Sequence, residues 1–262
     1  MKRFREWLAD GETPVFAWLH LLTPHAPYLP PAPFAPQDGG AGPMTAAAYD
    51  GEVRAVDALV GQALDAIDQR FGLDRCLVVL TADHGEAFGE HGEIGHGQSL
   101  HAEVTRVPLI FAGPGVPKGA VIDATVRLLD VAPTILALAG VGADAFDGPD
   151  RVSFSATTAD RKVFAEGMLY GPSERSLIAD GFRLLVDEGR GTRSLYDLAV
   201  DPGERRDVAG SQPARVRELE AALEGERRQL EADAPAADAA PVSPHDRAAL
   251  QALGYVDRPP EP

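Results

Sequence analysis

The chain has 262 residues and a formal net charge of −16, with 24 Lys and Arg against 40 Asp and Glu. Because nucleic acids and anionic membranes select basic surfaces, this charge argues against both as partners. No apolar run reaches the roughly 18–20 residues of a membrane-spanning helix, and the single cysteine, Cys76, excludes an internal disulfide.

The first 43 residues combine one apolar run with proline-rich loops. Val15–Leu22 is almost continuously apolar, which predicts a buried parallel strand. Thr23–Tyr28 then forms a loop with two prolines and His25, and residues 29–43 continue as a surface loop. The basic start of the chain lacks a small-residue cleavage site, so we predict no signal peptide there.

The middle of the chain alternates helix and strand patterns. Apolar residues at three- and four-residue steps predict an amphipathic helix over Tyr49–Phe71, closed by Gly72. Apolar runs at Cys76–Ala82 and Val107–Ala112 predict buried strands, and a helix is expected over Asp130–Ala139. This alternation predicts an α/β fold with a parallel-sheet core.

The last third of the chain has a different sequence pattern, with short segments separated by turn signals. Turn signals separate four short strand-like segments, which predict a small antiparallel sheet: Lys162–Glu166, Ser176–Asp180, Phe182–Asp187 and Thr192–Leu198. An amphipathic helix is predicted from Pro213 to Glu231, followed by an Ala/Pro linker and a short helix at His245–Leu253.

These patterns predict three parts. Residues 1–148 form the α/β domain, residues 149–210 the antiparallel subdomain, and residues 211–262 the helix, linker and terminal helix.

The stretch Asp83–Gly97 is the strongest chemical signal. It holds five glycines, three histidines and three glutamates in fifteen residues. Carboxylate and imidazole groups are ligands for divalent cations, and Gly85 frees the backbone where the predicted strand ends, so Asp83 and His84 can share a cation. Both this stretch and the His25 loop leave the carboxyl ends of predicted strands, where ligands bind in open α/β sheets.

Each candidate also has an interpretation without chemistry. Asp83 could cap a turn, His84 could be a packed core histidine, and His25 could be a turn histidine between two prolines. His96 could be an exposed loop residue. His91 and Glu86 are weaker candidates for the site. Solvent exposure is the preferred interpretation for both of them and for Glu90 and Glu93. We expect His20 to be buried in its strand and His101 to lie on the surface.

Six ordered blocks of sequence carry a family resemblance. They are PHAPY, YDGEVRAVD, LVVLTADHGEAFGEHGEIGHG, EVTRVPLIFAGPG, LLDVAPTILALAGV and SLYDLAVDPGE, which lie in this order within residues 24–204. Together they resemble the C-terminal half of a sulfatase of the alkaline-phosphatase-like superfamily, over about residues 1–207. The resemblance implies a partial alkaline-phosphatase-like fold.

The resemblance also implies roles for four residues. Asp83 and His84 are similar to the metal ligands of the second half of the family site, and Ca²⁺ is the preferred cation, with Mg²⁺ or Mn²⁺ as alternatives. His25 and His96 are the catalytic candidates. His25 matches the histidine that contacts the sulfate or the leaving oxygen, and His96 occupies a place where many sulfatases have lysine. As an imidazolium, His96 could donate a proton to the leaving oxygen.

Two features of the family pattern are not found ahead of His25. One is an Asp-Asp pair that completes the metal site, and the other is a Cys/Ser-x-Pro/Ala-x-Arg segment that supplies a formylglycine nucleophile. Ser211–Arg215 matches the second pattern literally, but it follows the metal loop, and the start of a helix explains it. We therefore expect a fragment that is inactive alone and whose partner is a missing N-terminal segment of the same enzyme.

The leading functional prediction is a metal-dependent sulfuric ester hydrolase acting on a small-molecule or glycan sulfate ester. One alternative is phospho- or phosphonoester hydrolysis or transfer within the same superfamily, which would use a Thr or Ser nucleophile. Another is a non-catalytic binding module. The compartment stays open, although such enzymes are often periplasmic or secreted.

Overall fold

The structure is a computed structural model that describes residues 1–11, 13–36, 44–141, 161–167, 173–233 and 243. The chain divides into two compact units. The first comprises residues 1–96 and 103–159, and the second comprises residues 97–102 and 160–262.

The first unit contains four α-helices, four strands and three short 3-10 turns among the described residues. The helices are α1 (Lys2–Asp10), α2 (Ala46–Phe71), α3 (Ala102–Thr105, whose first residue belongs to the second unit) and α4 (Val131–Leu138). The strands are β1 (Val78–Thr81), β2 (Ala87–Phe88), β3 (Ile94–Gly95) and β4 (Leu109–Ala112). The 3-10 turns are Ala32–Phe34, Leu73–Arg75 and Leu128–Asp130.

Helix α2 confirms the predicted amphipathic helix and begins three residues earlier than expected. The Thr45 hydroxyl accepts a hydrogen bond from the backbone N–H of Ala48 at 3.3 Å, which caps its first turn. Gly72 ends it with φ of +78°, a left-handed conformation that glycine adopts without strain. Small residues and Glu52 form its buried positions, whereas Val53 is exposed.

Strands β1 and β4 pair antiparallel, with Val78 opposite Ala112 and Thr81 opposite Leu109. The parallel pairing predicted for this core is therefore wrong for these two strands. Parallel neighbours need a crossover, usually a helix, that carries the chain back to the starting edge. Between β1 and β4 the chain forms the hairpin β2–β3 and a single helix, the four-residue α3, so it returns in the opposite direction.

The apolar run Val15–Leu22 is not a strand in the structure, which corrects the prediction of a buried strand there. Phe16 and Trp18 are 73% and 80% exposed. A strand requires a neighbour for its backbone hydrogen bonds, and among the described residues no segment pairs with this run.

The second unit is built on a four-stranded antiparallel meander. Its strands are β5 (Val163–Glu166), β6 (Glu174–Ala179), β7 (Phe182–Asp187) and β8 (Thr192–Asp197), in the order β5-β6-β7-β8. They confirm the four predicted segments to within one or two residues.

Helix α5 (Pro213–Asp233) covers one face of this sheet. Leu219 and Leu223 of the helix are buried against Leu177, Leu184 and Leu195 of the strands. The amphipathic helix predicted from Pro213 is thereby confirmed.

A buried polar cluster holds residues 97–102 within the second unit. Glu204 accepts hydrogen bonds from His101 Nδ1 at 2.8 Å and from the backbone N–H of Ala102 at 3.2 Å. The Leu100 carbonyl accepts from Arg183 at 2.6 Å, and the Leu100 N–H donates to Glu174 at 2.7 Å. The expectation that His101 lies on the surface is therefore wrong, because its ring is tied to a fully buried carboxylate.

Some of the predicted features lie outside the described residues. They are the boundary between residues 148 and 149, most of the Ala/Pro linker, and the short helix His245–Leu253. None of the helices described in the structure is long and apolar enough to cross a membrane.

Candidate active site

Close packing against α3 restricts the backbone that follows β1. The Gly85 N–H donates to the carbonyl oxygen of Val104 at 2.7 Å, so the chain passes directly against α3. A Cβ atom at position 85 would lie 2.1 Å from the Glu103 carbonyl oxygen, which excludes any side chain there without a backbone shift. Glycine at this position thus fixes the turn that presents Asp83 and His84.

The hairpin β2–β3 brings Glu86 and His96 together. Ala87 pairs with Gly95 in this hairpin, so the residues just outside the pair, Glu86 and His96, face each other at its open end. Glu86 Oε1 lies 3.0 Å from His96 Nδ1. The pairing of β2 with β3 therefore positions Glu86 and His96 for this contact.

The His25 loop is held by α2. Glu52, which is buried on that helix, accepts a hydrogen bond from the Leu29 N–H at 2.6 Å. A Cβ at Gly51 would lie 2.6 Å from the Phe34 carbonyl oxygen, so the loop packs directly on the helix backbone.

Tyr28, in the same loop, is almost completely buried. Its ring packs edge-on against Tyr49, with centroids 5.4 Å apart. Its hydroxyl donates to Glu86 Oε2 at 2.7 Å. This bond ties the loop that carries His25 to the loop that carries His84 and His96.

Three imidazole rings lie together in this site. The His84 and His96 rings stack with centroids 4.0 Å apart and planes inclined by 29°. The His25 ring meets the His96 ring edge-on at 5.4 Å.

Each of these rings has its Nδ1 beside an oxygen acceptor. Nδ1 of His25 lies 2.8 Å from the Ala26 carbonyl oxygen, and Nδ1 of His84 lies 2.9 Å from the Gly85 carbonyl oxygen. Nδ1 of His96 faces Glu86 as described. An acceptor at Nδ1 favours the proton on that atom, which leaves Nε2 for a metal or a substrate oxygen. All three rings are therefore arranged to present Nε2.

The Glu86–His96 pair sets the charges at the site. The hydrogen bond to Glu86 raises the pKa of His96, and burial of the ring opposes this only in part. Burial raises the pKa of Glu86, but hydrogen bonds from His96 and Tyr28 outweigh it and hold this pKa below its usual range. Burial and the bond to Glu86 raise the pKa of Tyr28, so its hydroxyl stays protonated. The pair thus favours an imidazolium beside a carboxylate.

Asp83 and His84 form a pair of candidate metal ligands. Asp83 Oδ2 and His84 Nε2 are 3.9 Å apart. Bonds from a divalent cation to oxygen or nitrogen are about 2.0–2.6 Å long, so one ion can contact both atoms. The donors fit such a cation, although the described residues contain no cluster of three or more metal-ligating side chains.

Residues 1–141 match the family model described as Sulfatase, which is more than half of the chain. The chain belongs to the sulfatase family. The predicted resemblance is confirmed.

Curated sulfatases match over part of their own length. A sulfatase from Formosa agariphila is 35% identical over 158 residues, which are 60% of this chain and 31% of that protein. Arylsulfatase K from Xenopus laevis is 28% identical over 183 residues, 64% of this chain and 34% of that protein. The chain therefore spans about a third of the length of these relatives.

Solved structures share the fold of this sulfatase chain. A 2-O GAG sulfatase aligns with a TM-score of 0.63 and 21% identity, covering 88% of this chain and 58% of that one. A structure in complex with its substrate D-glucosamine-2-N,6-O-disulfate aligns with a TM-score of 0.60 and 24% identity, covering 72% and 41%. These neighbours confirm the predicted α/β class of alkaline-phosphatase-like sulfatases.

The structure brings together the four site residues predicted for this sulfatase. Asp83 adjoins His84, and the rings of His84 and His25 both contact the ring of His96. From the sequence, Glu86 was a weaker candidate for which solvent exposure was preferred. It is buried and not solvent-exposed as expected, because two hydrogen bonds hold its carboxylate between Tyr28 and His96.

Three other expectations concern residues outside this group. His91 was expected to face solvent, but it is mostly buried and lies 2.7 Å from Glu103. His20 was expected in the core, but it is exposed because Val15–Leu22 forms no strand. Ser211 donates its hydroxyl to the Val208 carbonyl oxygen at 2.9 Å, as a structural turn residue does.

Proposed function

We propose that this chain supplies the metal-binding and leaving-group side of a divalent-metal-dependent sulfuric ester hydrolase. The observation that carries the proposal is the group of three imidazoles, each with Nδ1 beside an acceptor and Nε2 directed elsewhere, next to the carboxylate of Asp83. Membership of the sulfatase family supports this reaction class.

Asp83 and His84 would hold the cation. Sulfatases generally depend on a divalent metal, and Ca²⁺ is our candidate because carboxylate oxygen is its preferred donor, with Mg²⁺ or Mn²⁺ as alternatives. A bound cation supplies Lewis acidity that offsets the charge of a sulfate group. The Gly85 carbonyl oxygen, 2.9 Å from Nδ1 of His84, keeps the proton off Nε2 so that this nitrogen is free to ligate.

His25 would bind an oxygen of the sulfate ester. Its Nε2 is buried and has no hydrogen-bond partner among the described residues. Since an unpaired buried polar atom costs free energy, a polar group of the substrate is the natural partner for it.

His96 would donate a proton to the departing alcohol oxygen. Its raised pKa favours the imidazolium that this step consumes. The imidazolium also supplies local positive charge for an anionic substrate, which the net charge of −16 otherwise repels.

The proposed substrate class is a sulfate ester of a sugar or glycan. One structural neighbour is bound to a disulfated glucosamine as its substrate, and another is in complex with k-i-k-neocarrahexaose. This likeness supports a carbohydrate alcohol as the leaving group.

The test is sulfate release by the native gene product. Purified enzyme is assayed with 4-nitrophenyl sulfate and with sulfated monosaccharides, with and without a chelator, as wild type and as Asp83→Ala and His96→Ala. We expect both variants and the chelator to lower kcat/KM by at least about 100-fold on sugar esters. His20→Ala is the matched control, because His20 is an exposed histidine of the same chain. Hydrolysis of phosphonate esters with no release of sulfate would contradict the proposal.

A further inference from the structure

A buried relay of three side chains ends at His96. The Tyr28 hydroxyl donates to one oxygen of Glu86, and the other oxygen of that carboxylate contacts His96 Nδ1, at 2.7 and 3.0 Å. We propose that Glu86, anchored by Tyr28, is the positioning residue that fixes the tautomer and ring plane of His96. The consequence for catalysis rests on the function proposed above, but the geometric claim stands independently of it.

Both oxygens of the Glu86 carboxylate have a hydrogen-bond partner. The Glu86 side chain is 4% exposed, so solvent contributes little to its hydrogen bonding. A buried carboxylate is costly unless its oxygens are paired, and here one donor serves each oxygen. Two bonds in different directions leave the carboxylate little freedom to rotate, so it acts as a fixed acceptor for the His96 ring.

The His96 ring is constrained from two further sides. The His84 ring stacks on its face, and the His25 ring meets it edge-on. The stack restricts rotation out of the plane, while the bond from Nδ1 to Glu86 restricts rotation within it. Nδ1 and Nε2 are separated by Cε1 in the ring, so Nε2 is directed away from Glu86 and is left for the proposed contact with the substrate.

Tyr28 connects the loop that carries His25 to the loop that carries Glu86 and His96. It lies three residues after His25, and its ring packs on Tyr49 of α2 and against Phe88. The hydroxyl bond to Glu86 therefore couples the positions of His25 and His96. A single phenol thus aligns the two residues proposed to contact the ester oxygens.

The test is the tautomer of His96 in the 262-residue chain, read from long-range ¹H–¹⁵N correlations of ¹⁵N-histidine-labelled protein at a pH above the pKa of the ring. We expect wild-type His96 to carry its proton on Nδ1. Glu86→Ala should shift it toward the pattern of the exposed His20, and Tyr28→Phe should shift it partly. Glu103→Ala is the matched control. It removes the partner of His91, so it should alter that ring and leave His96 unchanged.

A wild-type His96 protonated on Nε2 would overturn the proposal, whether or not any variant folds.

In the active gene product we also expect Glu86→Ala to lower kcat by about 10- to 100-fold on slow-leaving esters. The double variant with His96→Ala should be no slower than His96→Ala alone, and additive losses would contradict a role through His96. Absence of sulfate release would contradict the proposed function while leaving the tautomer result intact.

Discussion

Replacing Glu204 with Gln should destabilise the second unit by breaking a buried ion pair. The Glu204 side chain is completely buried, and its Oε1 lies 2.6 Å from Nε of Arg183, which is 5% exposed. The two atoms are close but not aligned as a linear hydrogen bond. Its Oε2 accepts from His101 and from the Ala102 N–H.

The magnitude follows from this burial. Glutamine keeps the size of the side chain but removes the charge, so the buried Arg183 guanidinium loses the negative charge that lies 2.6 Å from its Nε. Breaking such a pair costs about 3–5 kcal/mol. That corresponds to about a 10²- to 10⁴-fold rise in the opening equilibrium of the surrounding backbone.

Hydrogen exchange followed by mass spectrometry measures this locally. We expect faster exchange in residues 97–102 and in β6–β8, with little change in α2. Glu220→Gln is the matched control, because Glu220 pairs with Arg193 at 2.7 Å where the two side chains are 33% and 40% exposed. Pairs in contact with solvent contribute only about 0–1 kcal/mol. Equal effects of the two substitutions would refute the argument that burial makes the Glu204 pair critical.

Three further predictions test the packing and electrostatics. Gly85→Ala should lower the melting temperature by several degrees, because its Cβ would lie 2.1 Å from the Glu103 carbonyl oxygen; an unchanged melting curve would contradict this. Leu223→Ala should cost about 2–5 kcal/mol in urea unfolding, because the side chain is fully buried against the sheet; a loss below about 1 kcal/mol would show a looser core. Burial raises the pKa of Glu174 above 4.5, and the hydrogen bond from the Leu100 N–H offsets this only in part. The stability that Glu174 contributes is therefore fully present below the unfolded pKa and is lost as pH rises through the folded pKa. Glu174→Gln should remove this loss. The unfolding free energy of the variant should therefore rise relative to that of wild type as the pH increases from about 4 through the raised pKa of Glu174, and a constant difference would contradict the assignment.

Elements whose sequence signal lies within the element itself, such as a hairpin turn or an amphipathic helix, were predicted correctly. The strands β6 and β7 are joined by Asp180-Gly181, a turn signal that favours a hairpin regardless of the rest of the fold. Helix α2 was equally clear, because its apolar pattern runs from Tyr49 to Phe71 and ends at a glycine.

The direction of strand pairing could not be obtained in this way. An apolar run such as Val15–Leu22 has the same composition whether or not a neighbour pairs with it. The strands β1 and β4 likewise give no signal of their relative direction, which depends on the connection between them.

The histidines and Asp83 of the candidate site were predictable from the sequence, but the burial of Glu86 was not. His25, His84 and His96 stand out as residue types in glycine- and proline-rich loops. Glu86 looks like the exposed Glu90 in sequence, and only its contact with Tyr28, 58 positions away, shows that it is buried. Contacts of this range depend on tertiary packing, which no local pattern reports.

The central claim is that Asp83 and His84 bind a divalent cation beside His96 and His25. Titration of the ¹⁵N-histidine-labelled chain with Mn²⁺, a paramagnetic ion that broadens nearby resonances, tests it most directly. We predict that the signals of His84 broaden first, followed by those of His96 and His25, while those of the exposed His20 persist, and that Asp83→Ala abolishes this order. Equal broadening of His20, or an unchanged response in Asp83→Ala, would contradict the account.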